Sequence, residues 1–168
     1  MKRILIMGLP GSGKTYLAKA LKQYLEDNGD LMKVNPQRVL TYEGIPGPDF
    51  FRVGVDWFNA DDIRRKFNDW DFSESGRRRQ AERMNTIATF EGTRGRTVIC
   101  DFVCPTGDTR REFNADITIW MNTIEAGRFD DTNKIFEAPS EFDYNIQSFQ
   151  SDEWILDLAK QLKETHHV

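Results

Sequence analysis

The chain has 168 residues and a formal net charge of -4, from 23 basic and 27 acidic side chains. This length suits one compact domain, and 39% hydrophobic residues with twelve Phe and four Trp exclude a disordered or fibrous chain. The negative balance argues against a nucleic-acid-binding protein, because such proteins carry a positive field.

The N-terminal residues and the cysteines indicate the cellular setting. A charged start and a short apolar run are interrupted by glycines, which indicates a first strand and not a signal peptide. No apolar stretch approaches the roughly 20 residues that a membrane helix needs. Cys100 and Cys104 have no Cys or His partners at metal-ligand spacing. We therefore expect a reduced, cytoplasmic protein that binds no membrane.

Apolar periodicity divides the chain into strands that alternate with helices. The predicted strands, in chain order, are residues 3–7, 51–58, 97–100, 117–121 and 144–147. The predicted helices end near residues 28, 67, 92 and 162, with a brief helical turn near 110. The polar stretch 30–50 is interpreted as a long loop or small hairpin inserted into one domain, 1–168.

The string GLPGSGKT at residues 8–15 satisfies the pattern GxxxxGK[ST] between the first predicted strand and the first helix. Glycines let backbone N–H groups converge on phosphate oxygens, while the lysine reaches the β and γ phosphates and the hydroxyl binds Mg²⁺. The alternative, a glycine-rich turn without a ligand, leaves the complete pattern at this junction unexplained. We predict that ATP and Mg²⁺ bind here, with Lys14 catalytic, Thr15 on the metal, and ATP held by Pro10, Gly11, Ser12, Gly13, Lys14, Thr15 and Tyr16.

GTPases, motor ATPases and kinases share this loop, and other residues of the sequence distinguish between these three classes. The nearest string to an Asn-Lys-x-Asp guanine reader is residues 133–136, which lacks the aspartate. A motor ATPase usually follows its strand-end Asp with a catalytic Glu, whereas Asp101 is followed by Phe102. Elimination favours a small-molecule kinase. The predicted fold class is α/β, a P-loop NTPase-type three-layer sandwich with a mostly parallel central sheet flanked by helices.

Asp61 and Arg64 follow the second predicted strand. Ligands collect at the carboxyl ends of strands in open α/β sheets, so both side chains are expected to face the phosphate loop. Asp61 is a candidate to accept a proton from an attacking hydroxyl or to hold a metal-bound water, and Arg64 a candidate to clamp an anionic substrate. The alternative interpretation makes Asp61 an N-cap and Arg64 a surface cation.

Phe72 precedes a helix with four arginines in residues 77–83. Arg78 has acidic partners four residues to either side, but Arg77 and Arg83 lack such a local explanation. An aromatic face with guanidinium groups suits a planar base that carries phosphate or sulfate. We predict substrate binding by Phe72, Arg77 and Arg83; the alternatives are core packing for Phe72 and a solvated face for Arg83.

With these motifs the chain resembles the adenylylsulfate kinases, P-loop enzymes that use ATP to phosphorylate the 3′-hydroxyl of adenosine 5′-phosphosulfate (APS). GLPGSGKTYLAKAL is similar to the family's GLSGSGKST loop and helix, FNADDIR to DGDN(V/I)R, and VICDFVCP to VICSFISP. FSESGRRRQAERM resembles the family's phenylalanine-serine, aspartate-arginine and asparagine-isoleucine-arginine-arginine segment. The likeness covers roughly residues 3–146.

The resemblance implies roles for individual positions. Asp61 corresponds to the catalytic acid and also contacts substrate, Arg128 lies in the segment leading into the lid and contacts ATP, and Lys134 is a candidate lid lysine that contacts substrate. The remaining implied substrate-binding positions are Arg64, Phe72, Arg77, Gln80, Arg83, Val103, Cys104 and Pro105.

The chain departs from the family pattern within the site. Asn59 stands at the family's first aspartate and Asp101 at a serine. A carboxylate at 101 can bind the hydration shell of Mg²⁺, so Asp101 is predicted as a metal ligand with Thr15, the alternative being a capping or loop acid. The lid, 128–139, lacks the family's basic, glycine-containing extension, and residues 30–50 have no family counterpart.

We therefore expect transfer of the ATP γ-phosphate to the 3′-hydroxyl of APS. Two alternatives stay open: a kinase of another nucleotide or nucleotide-like anion, and a non-catalytic nucleotide-binding regulator. The expected partner is a small-molecule nucleotide substrate, without nucleic acid or membrane, and a homodimer is allowed for.

Overall fold

The computed structural model describes residues 2–29, 31–33, 50–52 and 54–168. The strands in these residues are β1 (Arg3–Met7), β2 (Leu31–Lys33), β3 (Phe50–Arg52), β4 (Val55–Asn59), β5 (Thr97–Asp101), β6 (Ile117–Met121) and β7 (Tyr144–Ile146). The helices are α1 (Lys14–Asn28), α2 (Ala60–Phe67), α3 (Glu74–Thr93), α4 (Gly107–Phe113), α5 (Asp130–Ile135) and α6 (Asp152–His166).

Five of the strands form one parallel sheet in the order β4-β5-β1-β6-β7. The register places Ile6 beside Asp101 and Asn59 beside Asp101, so β1, β4 and β5 end at the same edge. Because α2 begins directly after β4, Asn59 is both the last residue of that strand and the N-cap of the helix. This edge is where the sequence places its candidate side chains.

The interior of the sheet is buried on both faces. Alternation along β1 directs Ile4 and Ile6 into a core with α1 and α6, and Leu5 and Met7 into a second core with α3 and Phe113 of α4. Helices therefore cover both faces of a parallel sheet. The predicted three-layer α/β fold is confirmed.

The strand predicted at 51–58 is divided in the structure. Its first part belongs to β3, which pairs antiparallel with β2 in a separate two-stranded sheet, and its second part is β4 of the main sheet. Gly54 lies between them, and a side chain there would collide with the Arg96 guanidinium, which pairs with Asp56. The interpretation of 30–50 falls largely on residues 34–49, outside the described part of the chain.

Among the described residues, no helix combines the length and the apolar character that crossing a membrane requires. Both cysteines are buried and free.

Candidate active site

The phosphate loop leaves β1 through three glycines with left-handed backbone, Gly8 (φ 146°), Gly11 (φ 90°) and Gly13 (φ 95°). A Cβ on Gly8 would lie 2.5 Å from the carbonyl oxygen of Met121, so only glycine fits where the loop passes β6. Gly13 is the N-cap of α1 and brings no side-chain cap, which leaves the first N–H groups of this 15-residue helix without a side-chain acceptor. Such a helix start suits a phosphate group.

Lys14 points back across the loop, where its Nζ donates to the carbonyl oxygen of Leu9 over 2.9 Å. Burial lowers the pKa of Lys14 to about 8, while the nearby carboxylates of Asp101 and Asp61 oppose this shift and Arg128 adds to it. The lysine, two acids and an arginine thus share one electrostatic environment beside the loop.

Asn59, at the end of β4, connects the end of the phosphate loop to the end of β5 and to the start of α2. Its Nδ2 donates to Asp101 Oδ1 over 2.6 Å and to Thr15 Oγ1 over 3.2 Å. Its Oδ1 accepts from the backbone N–H groups of Asp61 (3.0 Å) and Asp62 (3.1 Å) at the start of α2. Asn59 and not Asp61 is therefore the N-cap of α2.

Asp101 is 1% exposed and is the last residue of β5, which excludes the loop-acid alternative. The next helix, α4, is capped by Thr106, so Asp101 is not its capping acid either. Its second oxygen accepts from Trp57 Nε1 over 2.8 Å. Burial raises the pKa of Asp101, and the hydrogen bonds from Trp57 and Asn59 together with the charge of Lys14 oppose that rise. Donors on both oxygens stabilise the ionised form.

These residues suit a magnesium ion coordinated mainly by water and phosphate. No group of three or more His, Cys, Asp or Glu in the described ranges could hold a metal ion by itself. Mg²⁺ with bound phosphates needs only one or two protein ligands. The Thr15 hydroxyl and the Asp101 carboxylate are hydrogen-bonded to the same amide, so they lie close enough to serve one hydrated ion.

A cavity of about 570 Å³ joins the phosphate loop to the ends of β4 and β5 and to the lid segment. Fourteen of the residues predicted from the sequence line it, namely Pro10, Gly11, Lys14, Thr15, Asp61, Arg64, Phe72, Arg77, Gln80, Asp101, Val103, Cys104, Pro105 and Arg128. A cavity of this size accommodates small molecules such as nucleotides.

An aromatic and cationic wall, formed by Phe72, Arg64 and Arg77, lines the same cavity as the phosphate loop. Phe72 is 46% exposed, which excludes the core-packing alternative, and the Arg64 guanidinium lies 4.6 Å from its ring centroid. Arg64 is only 4% exposed and donates to the carbonyl oxygens of Asp69 and Asp71 over 3.0 Å each, so it is not a surface cation. These contacts fix the orientation of the Arg64 guanidinium against the Phe72 ring.

Arg77 spans from α3 to the lid. It donates to the carbonyl oxygen of Phe72 over 2.8 Å, and to the Asp131 carboxylate and the Thr132 hydroxyl over 3.0 Å each. Its side chain is 10% exposed and lines the cavity. Arg77 therefore closes one side of the cavity by binding α5.

Five of the predicted residues do not line the cavity: Ser12, Gly13, Tyr16, Arg83 and Lys134. Arg83 donates to Gln80 Oε1 (2.7 Å) and to Asp69 Oδ2 (2.9 Å), and its guanidinium lies 4.3 Å from the Phe67 ring centroid. The Tyr16 hydroxyl donates to Asp152 on α6, and Lys134 lies in the last turn of α5. Their roles stay predictions, and Arg83 has a structural explanation that the sequence did not reveal.

Sequence reasoning missed several residues that the structure brings to the site. The sequence places Asn59 among residues suited to capping a helix, after a strand whose end faces the phosphate loop, but it does not predict the hydrogen bonds from Asn59 to Thr15 and Asp101. Four others have no motif of their own: Trp70 and Phe129 come from connecting segments, and Asp131 and Thr132 come from the short helix α5.

The architecture matches solved P-loop kinases along nearly the whole chain. The Mycobacterium tuberculosis APS kinase in complex with AMPPNP and APS superposes with a TM-score of 0.70 at 16% identity, covering 99% of this chain and 98% of that chain. Shikimate kinase from Acinetobacter baumannii in complex with shikimate gives a TM-score of 0.53 at 17% identity, covering 100% and 96%. The protein has an APS kinase-like P-loop fold.

A third structure extends this likeness. The hexameric APS kinase from Thiobacillus denitrificans gives a TM-score of 0.65 at 19% identity, covering 99% of this chain and 29% of that one. No family model and no curated protein matches the sequence. The likeness is therefore one of fold, and the sequence identities are too low for the substrates of these enzymes to be assigned to this protein.

Proposed function

We propose that the protein is an ATP-dependent small-molecule kinase that phosphorylates the 3′-hydroxyl of APS. The observation that carries the proposal is the single cavity that contains the phosphate loop, the Asp61 carboxylate and the wall of Phe72 and arginines. The loop supplies a site for the donor phosphates and the wall supplies a site for a planar, anionic acceptor. Asp61 lines the same cavity, and its charge acts on Lys14 of the loop and on Arg64 of the wall.

The reaction assigns one task to each of these residues. The acceptor hydroxyl oxygen forms a bond to the γ-phosphorus of ATP while the bond from that phosphorus to the β–γ bridging oxygen breaks, and ADP leaves. Asp61 orients the hydroxyl and accepts its proton. Lys14 and the loop N–H groups stabilise charge on the transferring group, and Arg128 contacts ATP from the lid side.

Magnesium belongs to this proposal through Thr15 and Asp101, the two residues that would hold it. When bound, Mg²⁺ neutralises charge on the β and γ phosphate oxygens. Arg64 and Arg77 position the acceptor and Phe72 stacks against its base, since guanidinium groups and an aromatic ring suit a nucleobase with sulfate and phosphate groups.

The choice of APS is supported by the sequence segments that resemble adenylylsulfate kinases and by the fold shared with an APS kinase that binds AMPPNP and APS. Another nucleotide or nucleotide-like anion is the second candidate acceptor. It is favoured by the departures from the family's DGDN segment at residues 59–62 and by the short lid.

An acceptor panel distinguishes these candidates. Purified protein is incubated with Mg·ATP and APS, or with AMP, CMP, deoxynucleoside monophosphates or CDP-type acceptors, and acceptor-dependent ADP release is measured. We expect APS to give the highest kcat/KM. A higher kcat/KM for another acceptor would contradict APS as the substrate but would leave the proposed phosphoryl transfer in place. No ADP release with any acceptor would favour a nucleotide-binding regulator.

Two neighbouring carboxylates on α2 provide a matched pair of variants. Asp61→Asn is expected to lower kcat by about 10²- to 10⁴-fold, the range that general base catalysis contributes. Asp62→Asn serves as the control, because Asp62 pairs with Arg65 over 2.6 Å and does not line the cavity. Equal losses in the two variants would argue against a catalytic role for Asp61.

A further inference from the structure

The side chain of Asn59 uses its full hydrogen-bonding capacity within the site. A carboxamide has two N–H donors and one oxygen that accepts two bonds. In Asn59 the oxygen accepts from two N–H groups of α2, and the nitrogen donates to Thr15 Oγ1 and Asp101 Oδ1. Since the helix start offers only donors to the oxygen, the nitrogen is forced to face the hydroxyl and the carboxylate.

Only an amide satisfies this arrangement at position 59. A carboxylate there would still cap α2, but it would face the Asp101 carboxylate at the 2.6 Å that now separates Asn59 Nδ2 from Asp101 Oδ1. Two ionised carboxylates at that distance repel each other strongly. A serine would also cap α2, but its hydroxyl ends one atom short of the amide nitrogen that bridges to β5 and the loop.

We propose that Asn59 is a positioning residue for the metal site, which rests on the proposed function. It holds the Asp101 carboxylate and the Thr15 hydroxyl at a fixed separation, toward a shared hydrated Mg²⁺. The same side chain caps the start of α2, which carries Asp61. Asn59 therefore also fixes the position of the Asp61 carboxylate relative to the metal site. Trp57 supports the arrangement by donating to the other oxygen of Asp101 over 2.8 Å.

The test measures the magnesium-dependent gain in ADP affinity, defined as the Kd in EDTA divided by the Kd in Mg²⁺, by isothermal titration calorimetry. This readout needs neither an acceptor nor turnover. Asn59→Ser keeps a helix cap and removes the bridge. We expect the gain to be about tenfold smaller in Asn59→Ser than in wild type, comparable to the loss of metal affinity when a residue that orients a metal ligand is mutated. The Kd in EDTA is expected to change less than twofold.

A mutant cycle separates positioning from general damage. If Asn59 acts through Asp101, Asn59→Ser in an Asp101→Asn background causes little further loss, because the carboxylate to be positioned is already absent. Asn145→Ser on β7 is the matched control and keeps the wild-type gain. Wild-type gain in Asn59→Ser, or additive losses in the double variant, would overturn the proposal.

An exchange variant covers the case in which Asn59→Ser does not fold. Asn59→Asp alone creates two facing carboxylates and is expected to lower Tm in metal-free buffer. Adding Asp101→Asn restores one amide and one carboxylate, so it is expected to raise Tm again. A further decrease in Tm on adding Asp101→Asn would contradict the bridge.

These outcomes are independent of the kinase assay. Failure of every acceptor would remove the proposed reaction without changing the magnesium-dependent gain. If wild-type protein binds ADP equally well in EDTA and in Mg²⁺, the positioning role of Asn59 is contradicted. Phosphoryl transfer would then still be tested separately by product formation.

Discussion

Arg77 of α3 and Asp131 of α5 form a 3.0 Å ion pair across one side of the cavity. The Arg77 side chain on α3 is largely buried, whereas the Asp131 side chain on α5 is 67% exposed. Thr132 accepts from the same guanidinium nitrogen over 3.0 Å. An anionic acceptor that binds Arg77 must therefore compete with a carboxylate of the lid segment.

The first prediction concerns this competition. Asp131→Asn is expected to lower the acceptor KM by up to about fivefold with kcat unchanged, because the Asp131 side is 67% exposed and an ion pair open to solvent contributes roughly 0.2–1 kcal/mol. Steady-state kinetics with the acceptor varied at saturating ATP measure it. The control is Asp130→Asn, since Asp130 is the adjacent residue of the same helix and does not line the cavity. An unchanged or raised acceptor KM in Asp131→Asn alone would show that Arg77 does not bind the acceptor.

The second prediction separates Arg83 from Arg77. Arg83 does not line the cavity, and its guanidinium is bound by Asp69 and by Gln80. Gln80 does line the cavity, but it also donates to the carbonyl oxygen of Ala60 over 3.1 Å and so keeps an anchor without Arg83. Arg83→Ala is therefore expected to lower the free energy of unfolding and to leave the acceptor KM within about twofold of wild type. Arg77→Ala is expected to raise the acceptor KM at least tenfold, as loss of a charged hydrogen bond to a ligand does. Urea unfolding and steady-state kinetics on both variants measure these effects, and a large KM increase in Arg83→Ala would restore its predicted contact with substrate.

The third prediction is the acid dependence of stability at Asp69. Hydrogen bonds from Arg79 and Arg83 hold the pKa of this carboxyl well below its usual range. A depressed folded-state pKa contributes stability that is fully present above the unfolded pKa near 4 and is lost as the pH falls through the folded value. The stability difference between wild type and Asp69→Asn is therefore expected to be largest at pH 6–7 and to shrink below about pH 4.

Urea unfolding of both proteins between pH 7 and pH 3 measures this difference. Asp108→Asn is the control, because Asp108 is 81% exposed and its one ion pair in the described part of the chain is with Arg111 in its own helix turn. A difference between wild type and Asp69→Asn that stays constant over the pH range would contradict the ion-pair network.

The fourth prediction tests a residue without a sequence motif. Trp70 is 47% exposed, lines the cavity and lies with its ring centroid 6.5 Å from that of Phe72. Trp70→Ala is expected to raise the acceptor KM by about fivefold or more, since stacking on an aromatic ring contributes roughly 1–3 kcal/mol per base. The ATP KM is expected to stay constant, and a selective increase in the ATP KM would place Trp70 on the donor side instead.

The sequence predicted the frame of the site because its strongest signals are local. Gly8 to Thr15 combine a motif with a strand–helix junction, and the bounds of β6 follow from its apolar run. The division of residues 51–58 has no signal in the sequence, because the apolar pattern continues through Gly54, whereas in the structure the Arg96 guanidinium packs beside Gly54 and pairs with Asp56. That contact joins residues far apart in the chain.

The site itself was only partly predictable for the same reason. Arg83 was predicted to bind substrate from its spacing on α3, but its partner Asp69 lies in a connecting segment that carries no periodic pattern. The hydrogen bonds of Asn59 depend on the register of β4 against β5, which pairs it with Asp101. Strand register is set by tertiary packing and cannot be obtained from either strand alone.

Product identification tests the central claim most directly. The protein is incubated with Mg·ATP labelled in the γ-phosphate and with APS, and the products are separated by ion exchange and analysed by mass spectrometry and ³¹P NMR. The account predicts one labelled sulfonucleotide with the phosphate on the 3′-hydroxyl, absent with Lys14→Ala and strongly reduced with Asp61→Asn. Label that stays in ATP, or that appears in inorganic phosphate to the same extent with and without APS, would contradict it.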